Sequence, residues 1–369
     1  MSLSRYDVIV VGAGPCGSTA AQEIAKAGYN VLLLERDSYP GENNSCGGGL
    51  GNFLQKKFDL PDSLIQKKIR RVQLDLGFEK KTYQADRPVY MSVKRTEFDR
   101  YLADRAVRAG AELRLRQTAM NYDPFHKVLT VLDRPSGVQW QATANIVVFA
   151  DGVRSLAFSE CGLGVDPSRE PIVGLAYELG YPDNPHDAFE FFFDEQKLPY
   201  GYYWVFPTRD TLNVGVGGPV KSIGKQAKDF LLKFIDSRED LRGRAAVRKT
   251  AGMIPSYVAS RLHGDGVLVV GDAGGFVNPL TGGGIFLGMV SSQLAARTAN
   301  EALREGRTDG AYLARYSWRV KSSPFYLGLK TFHGLVTYSQ NHLKRTGKPV
   351  LGKIFKLYSD IGDFTLRHL

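Results

Sequence analysis

An apolar run, Val8–Val11, of the kind that forms a buried parallel strand, runs into the turn Gly12-Ala13-Gly14-Pro15-Cys16-Gly17. Ser18–Lys26 then has helical spacing, with Ala20, Ala21, Ile24 and Ala25 on one side. Gly28 stops that helix, and Val31–Leu34 is a second buried strand ending at Glu35. The pattern predicts one complete β-α-β unit. Gly41–Gly51 is a glycine-rich loop. Thr96–Ala109 repeats at helical spacing through Phe98, Leu102 and Ala106, and Glu112–Leu115 returns as a strand. Lys127–Leu132 and Trp140–Ala142 form a hairpin around Pro135-Ser136-Gly137, and Ile146–Ala150 is another buried strand, closing at Asp151-Gly152.

From about residue 170 the pattern changes to alternation. Ile172–Gly180, Ala188–Phe193, Tyr202–Phe206 and Leu212–Val216 are divided by Pro, Asn, Asp and Gly turns, which predicts an antiparallel meander. A helix over Ala227–Asp236 and a buried strand over Gly266–Gly271 follow, and helices dominate from Leu287 onward. The expected class is α/β (α+β overall): a Rossmann-like nucleotide domain, an antiparallel-sheet domain and a helical C-terminal tail. Residues 1–65, 93–160 and 257–310 form the discontinuous nucleotide domain, 66–92 and 161–256 the sheet domain, and 311–369 the tail.

The 369 residues, 43% hydrophobic and 23% charged, are ordinary for a soluble globular protein with two or three domains. No apolar run approaches the roughly 18 residues of a transmembrane helix, and no signal-peptide pattern precedes the first strand. Cys16, Cys46 and Cys161 make neither a disulfide framework nor metal-ligand spacing, which fits a reducing cytoplasm. Of the net charge of +10, residues 311–369 carry +8: ten Lys/Arg stand against Asp360 and Asp363. This basic tail is also rich in Phe, Tyr and Leu. It suits either a peripheral position on an anionic membrane surface or a solvated helical face. No nucleic-acid-binding motif accompanies the charge.

The first glycine turn has the setting a dinucleotide site needs: a strand before it, a helix after it, and Glu35 at the end of the next strand, 18 residues beyond Gly17. Gly12 permits the turn, Gly14 the close approach of backbone to a diphosphate, and Gly17 tight helix–strand packing. The diphosphate then rests at the positive end of a helix dipole. Glu35 accepts a ribose 2′-hydroxyl and repels a 2′-phosphate, leaving FAD or NAD. Gly271-Asp272-Ala273-Gly274-Gly275, with Pro279 and Gly282-Gly283-Gly284-Ile285, separates the two. An Asp at a strand end holds a ribityl hydroxyl, which NAD lacks, and a second helix N-terminus faces the flavin ring.

On these residues the chain resembles the p-hydroxybenzoate-hydroxylase-fold flavoproteins and, within them, the geranylgeranyl reductases. Gly12–Gly17 with Glu35, Asp151-Gly152, and Gly271-Asp272 through Ile285 are the broad matches. Arg95, within Val93–Asp99, is similar to the family arginine that contacts FAD, and Ala119 falls at a backbone contact on the adenine side. Pro199-Tyr200-Gly201-Tyr202-Tyr203-Trp204-Val205-Phe206-Pro207 fits the reductases' P-x-x-Y-x-W-x-F-P pattern at every specified position. Cys46-Gly47-Gly48-Gly49 resembles their Cys-Gly-x-Gly loop. The resemblance implies FAD contacts at Gly12, Ala13, Gly14, Pro15, Cys16, Gly17, Glu35, Arg36, Cys46, Gly47, Gly49, Arg95, Ala119, Asp151, Asp272, Pro279, Gly283, Gly284 and Ile285. Cys16 departs from the family's usual alanine, with little expected consequence.

The implied activity is an FAD-dependent oxidoreductase that saturates geranylgeranyl C=C bonds on a diphosphate, an ether lipid or a chlorophyll-type ester. An isolated alkene is a poor hydride acceptor. Protonation at the less substituted carbon, with hydride from flavin N5 quenching the tertiary cation, is the easier course. Such chemistry needs an apolar channel, an acid and electron-rich ring faces. Tyr202, Trp204 and Phe206 alternate on one strand and Phe189, Phe191 and Phe193 on another, so each set shares a face and is a candidate prenyl wall; the alternative is an aromatic core. Cys46 is a candidate proton donor or simply a small residue in a loop against the flavin, and Tyr202 is the other candidate acid. Trp204 completes the catalytic set. There is no second GxGxxG, so the electron donor, NAD(P)H or a reduced ferredoxin, docks transiently. The rival readings are a monooxygenase or halogenase of the same fold, although a halogenase favours W-x-W-x-I-P, and a non-enzymatic flavin-binding membrane-surface protein.

Overall fold

The computed structural model describes residues 3–194, 197, 198, 200–346, 350, 352–354, 356, 357 and 360. Pro199, Lys348, Asp363 and Arg367, and the side chain of Lys344, lie outside them. The chain divides into two compact units: Met1–Asn43, Thr96–Arg169 and Ile254–Thr331 form the first, and Asn44–Arg95, Glu170–Met253 and Phe332–Leu369 the second. Elements below are numbered in chain order.

In the first unit the alternation of β1 (Ser4–Val11) sends side chains to two cores. Val8 and Val10 join a cluster with Ala20 and Ile24 of α1 (Pro15–Ala25), Ala295 and Ala299 of α7 (Ile285–Arg304), and Tyr316 of α8 (Gly310–Lys321). Ile9 and Val11 face the opposite cluster, with Tyr122 of β9 (Gln117–Asp123), Leu129 of β10 (Val128–Asp133) and Ala157 of α4 (Leu156–Cys161). A strand covered on both faces has no polar side to alternate with, which is why it reads as a continuous apolar run. Among the described residues the sheet has eight strands. The order is β17 (His263–Gly264), β18 (Val267–Val269), β11 (Gln139–Phe149), β1, β2 (Val31–Leu34) and β8 (Glu112–Arg114), with β10 and β9 branching from β11. β18, β11, β1, β2 and β8 run parallel.

The hairpin arm at Trp140 and the buried strand at Ile146 prove to be a single strand. β11 pairs antiparallel with β10 over Gln139–Thr143, then parallel with β1 up to Phe149. One strand therefore serves two sheet layers.

The second unit holds a seven-stranded sheet among the described residues. Its order is β16 (Ala246–Ile254), β12 (Ile172–Gly180), β15 (Thr211–Pro219), β14 (Tyr202–Pro207), β13 (Ala188–Phe192), β5 (Arg71–Asp75) and β6 (Lys80–Gln84). A small sheet of β3 (Gly49–Gly51), β7 (Tyr90–Val93) and β4 (Ile65–Ile69) accompanies it, together with α2 (Phe53–Lys57). Tyr203 and Val205 of β14 and Val214 and Val216 of β15 pack on α5 (Val220–Ile223) and α6 (Ala227–Ser237) through Ile223, Leu231 and Ile235.

The four alternating strands are antiparallel where they pair with one another, but they do not form the expected sequential meander. β12 pairs with β15, and β13 pairs in parallel with β5. The segment between β12 and β13 crosses over instead of turning tightly: Lys67 Nζ donates to the carbonyls of Asn184 and His186, and the Asn184 amide donates to those of Thr208 and Thr211. Anchored this way, the crossover carries β13 to β5. Residues 44–65, expected with the nucleotide segments, lie in the second unit, because β3 and β4 both pair with β7. The described part of the tail is not a separate body either. α8 buries Tyr312, Leu313 and Tyr316 in the first unit's core, while α9 (Pro324–Thr346) continues into the second unit. Part of its basic charge is engaged, with Arg319 on Glu301 at 2.6 Å and Lys356 on Glu79 at 2.6 Å. No helix among the described residues is long and apolar enough to cross a membrane.

Candidate functional site

The N-terminal glycine turn of the first unit follows from steric exclusion. β1 ends at Val11 and α1 opens at Pro15. Gly12 makes the reversal at φ +97°, where a side chain would meet the Ala150 carbonyl oxygen at 2.6 Å. A Cβ on Gly17 would lie 1.8 Å from the Gly12 carbonyl oxygen, so helix and turn close on each other only because both residues are glycine. Gly14 is different: a Cβ there meets nothing within 4 Å. The turn is thus closed on its protein side and open on the other, and no side chain caps α1 beyond it. Open space in front of an uncapped helix N-terminus is an arrangement that suits a diphosphate.

Glu35, buried at the end of β2, accepts the Ala13 N–H at 2.9 Å and the Asp37 N–H at 3.0 Å. It ties the turn to β2, and each oxygen keeps a further lone pair for a ribose hydroxyl. Arg36 lies beside it, its carbonyl accepting from Arg134. Ala119 lies on β9 opposite Val131, where the β9–β10 register shifts. Asp151 follows β11; one oxygen accepts the Leu156 N–H at 2.9 Å, while Oδ1 is buried without a partner among the described residues. A buried orphan acceptor next to an open cradle fits a ligand hydroxyl.

Burial raises the Asp151 pKa from its ordinary 3.8 to about 6. Between these values the folded protein holds a proton that the unfolded chain releases. Stability of the flavin-free protein should therefore fall as pH rises from about 4 to about 6, by about 1.4 kcal/mol per unit, and level off above. Urea midpoints across this range should show that slope, and Asp151→Asn should remove it.

The second glycine segment repeats the logic. After β18 the chain makes a tight turn through Gly271–Gly274, passes Pro279 and Gly283, and starts α7 at Ile285, with no side-chain cap at Gly284. Asp272 Oδ1 lies 3.2 Å from where a Gly284 Cβ would stand, which sets the carboxylate over the start of the helix. Cys16 is accommodated between elements. A Cβ on Gly271 or Gly288 would meet its sulfur at 2.7 or 2.4 Å, so these glycines make room for the thiol where α1 packs on α7.

In the second unit the aromatic residues fall where their alternation places them. Tyr202, Trp204 and Phe206 share the face of β14 opposite α6 and stay half-buried. Phe189 stacks on Phe206 at 4.2 Å, Phe191 meets Phe206 edge-on at 5.3 Å, and Phe193 lies 5.5 Å from Tyr202. The two rows form one wall. Gly215 of β15 lies under the Trp204 indole, where a Cβ would be 2.1 Å from the ring. The Cys46–Gly49 turn rests on the wall, since a Cβ on Gly47 would touch Phe206 at 2.8 Å and one on Gly49 would touch Phe189 at 2.9 Å. The Gly48 N–H donates to Cys46 Sγ at 3.4 Å.

Although the Tyr202 ring is partly exposed, its hydroxyl is desolvated. This burial, and secondarily the nearby Cys46 sulfur, push the phenol pKa up. A phenol that holds its proton so firmly is a poor acid.

Beside Cys46 opens a small pocket lined by Gly47, Gly48, Lys94, Arg95, Glu178, Thr208, Thr211 and Asn213. Most of the residues that line it carry polar side chains, whereas the wall is a continuous set of aromatic rings. Sequence reasoning missed Asn213 and Gly215. The signal was present in Leu212-Asn213-Val214-Gly215-Val216-Gly217, where every second residue is polar or has no side chain, opposite an apolar face.

The sequence profile of the FAD binding domain family matches residues 5–322. The digeranylgeranylglycerophospholipid reductase 2 of Methanothermobacter thermautotrophicus is 35% identical over 86% of this chain and 84% of its own length. Among solved structures, a geranylgeranyl bacteriochlorophyll reductase-like protein from Thermoplasma acidophilum superposes with a TM-score of 0.82 at 26% identity, covering 90% of this chain and 88% of its own. A myxobacterial chondrochloren halogenase reaches a TM-score of 0.71 at 24% identity over 89% and 82% of the two chains, a likeness of fold alone.

Proposed function

Since the chain belongs to the geranylgeranyl reductase family of FAD-dependent oxidoreductases, we propose that its substrate is a geranylgeranyl-bearing glycerophospholipid and that Cys46 delivers the proton. The observation that carries this reading is the aromatic wall with a thiol-bearing turn resting on it. FAD supplies the hydride when bound and reduced. In the first unit Gly12–Gly17, Glu35, Arg36, Ala119, Asp151, Asp272 and Pro279 through Ile285 hold the dinucleotide by backbone N–H groups and hydroxyl acceptors.

Phe189, Phe191, Phe193, Tyr202, Trp204 and Phe206 bind the prenyl chain by apolar contact. The Trp204 and Tyr202 faces stabilise positive charge developing at the more substituted carbon as the Cys46 thiol protonates its neighbour. The glycerophospholipid carrier is taken from the names of the relatives. The net +8 of residues 311–369, with Trp318, Leu327, Tyr338 and Leu357 exposed, supports a peripheral position on anionic lipid.

The test is anaerobic. FAD-loaded protein, reduced by NAD(P)H, reduced ferredoxin or dithionite, should be reoxidised by vesicles of digeranylgeranylglycerol phospholipid. The product should gain the mass of one hydrogen molecule per saturated bond, and turnover should fall as salt screens an anionic vesicle surface. A reaction that proceeds only with oxygen would point to the monooxygenase or halogenase reading. Flavin that stays reduced with every donor and lipid would point to a non-catalytic protein.

A further inference from the structure

The Cys46 turn and the Trp204 indole are joined by a single side chain, Asn213. It lies on β15 opposite Phe206 of β14 and is 5% exposed. Its Oδ1 accepts the Trp204 indole N–H at 2.8 Å, and its Nδ2 donates to the Cys46 carbonyl at 3.3 Å. The turn meets the indole directly as well, because a Cβ on Gly47 would lie 3.0 Å from Trp204 Nε1. At its other end the turn is fixed by the Val93 N–H donating to the Gly48 carbonyl at 2.9 Å. A planar carboxamide both donates and accepts. An apolar residue at this position would strand a buried indole N–H and a carbonyl, and a carboxylate would keep the indole bond but face the Cys46 carbonyl with a second acceptor.

We propose that Asn213 is a positioning residue that sets the Cys46 thiol and the Trp204 ring in register with each other, so that proton delivery and cation stabilisation act on the same double bond. This rests on the reductase reading above. Losing both hydrogen bonds should lower kcat about tenfold or more, while KM stays within about threefold, since of the six rings in the wall only Trp204 is bonded to Asn213.

The experiment uses the FAD-loaded 369-residue chain with Trp140 and Trp318 replaced by Phe, so that Trp204 alone reports. Four quantities are read: flavin content, anaerobic kcat and KM, the Cys46 alkylation rate located by peptide mass, and Trp204 emission. Asn213→Leu should keep its flavin, lose kcat, alkylate at Cys46 several-fold faster and shift the Trp204 emission. Asn213→Asp should show the faster alkylation with emission near that of the parent, because only the bond to the turn is broken. Trp204→Phe, which removes the other end of the bridge, should also speed alkylation. If Asn213→Leu fails to retain flavin, the Asn213→Asp and Trp204→Phe alkylation rates decide. An Asn213→Leu protein with parental kcat would overturn the proposal, and so would a slowed one whose alkylation and emission do not move. If the parent reduces no prenyl lipid, the reductase reading fails while the alkylation and emission measurements still judge the bridge.

Discussion

A Gly17→Ala protein should purify nearly free of FAD and unfold at lower denaturant than the parent. The new methyl would lie 1.8 Å from the Gly12 carbonyl oxygen and 3.2 Å from Ala150 Cβ. The clash is with backbone, so no rotamer relieves it, and α1 must move away from the turn that precedes it. Overpacking of this kind costs about 1–3 kcal/mol in stability. The larger loss is functional, since the cradle at the helix N-terminus is the gap this movement distorts. Gly14→Ala is the informative companion. A Cβ there meets no protein atom within 4 Å, and the residue sits at φ −68°, so its unfolding midpoint should match the parent. Its FAD affinity should still fall, because the methyl fills the space a phosphate needs. Flavin-to-protein absorbance and urea titration separate the two. If Gly17→Ala held full FAD at parental stability, or Gly14→Ala bound FAD as tightly as the parent, the cradle would have been assigned to the wrong residues.

The second large effect is expected at Gly215. Alanine there would place its methyl 2.1 Å from Trp204 Cζ2 and 2.4 Å from Cε2, in the body of the indole. The ring cannot tilt away and keep its bond to Asn213, and Phe206 at 6.4 Å and Tyr202 at 6.0 Å flank it in the row. We expect kcat for prenyl reduction to fall about a hundredfold, equivalent to about 2.7 kcal/mol of transition-state stabilisation, with FAD content unchanged. At Gly217 the corresponding contact with the indole is 3.3 Å, so neighbours need yield only a few tenths of an ångström and the loss should be less than about threefold. Equal activities for the two variants would mean that the position of the indole does not govern the reaction.

How far such positions were legible depended on whether the cause was local. The strand–turn–helix at Gly12–Gly17 could be read because strand, reversal and helix occupy adjacent residues, each with its own steric demand. The aromatic wall was equally open to inspection, since alternation along Tyr202–Phe206 and Ala188–Phe193 determines which rings share a face whatever the strands pair with. The strand order of the second sheet was not. β13 lies beside β5 because Lys67 and Asn184 hold a crossover through contacts separated by more than 100 residues in one case, and no periodicity encodes that.

The chain's own order of residues determined the nucleotide turn, the sidedness of each strand and the identity of the thiol and rings. Steric exclusion and side-chain periodicity act within a few residues, so they are written in the chain itself. The tertiary structure alone decided that Asn213 bridges Trp204 to Cys46, that Gly215 gives the indole its seat, and that Asp151 is buried enough to shift its titration. The Asn213–Cys46 bond spans 167 residues, the seat at Gly215 exists only in the strand register that sets it opposite Trp204, and the Asp151 shift needs the desolvation that packing supplies.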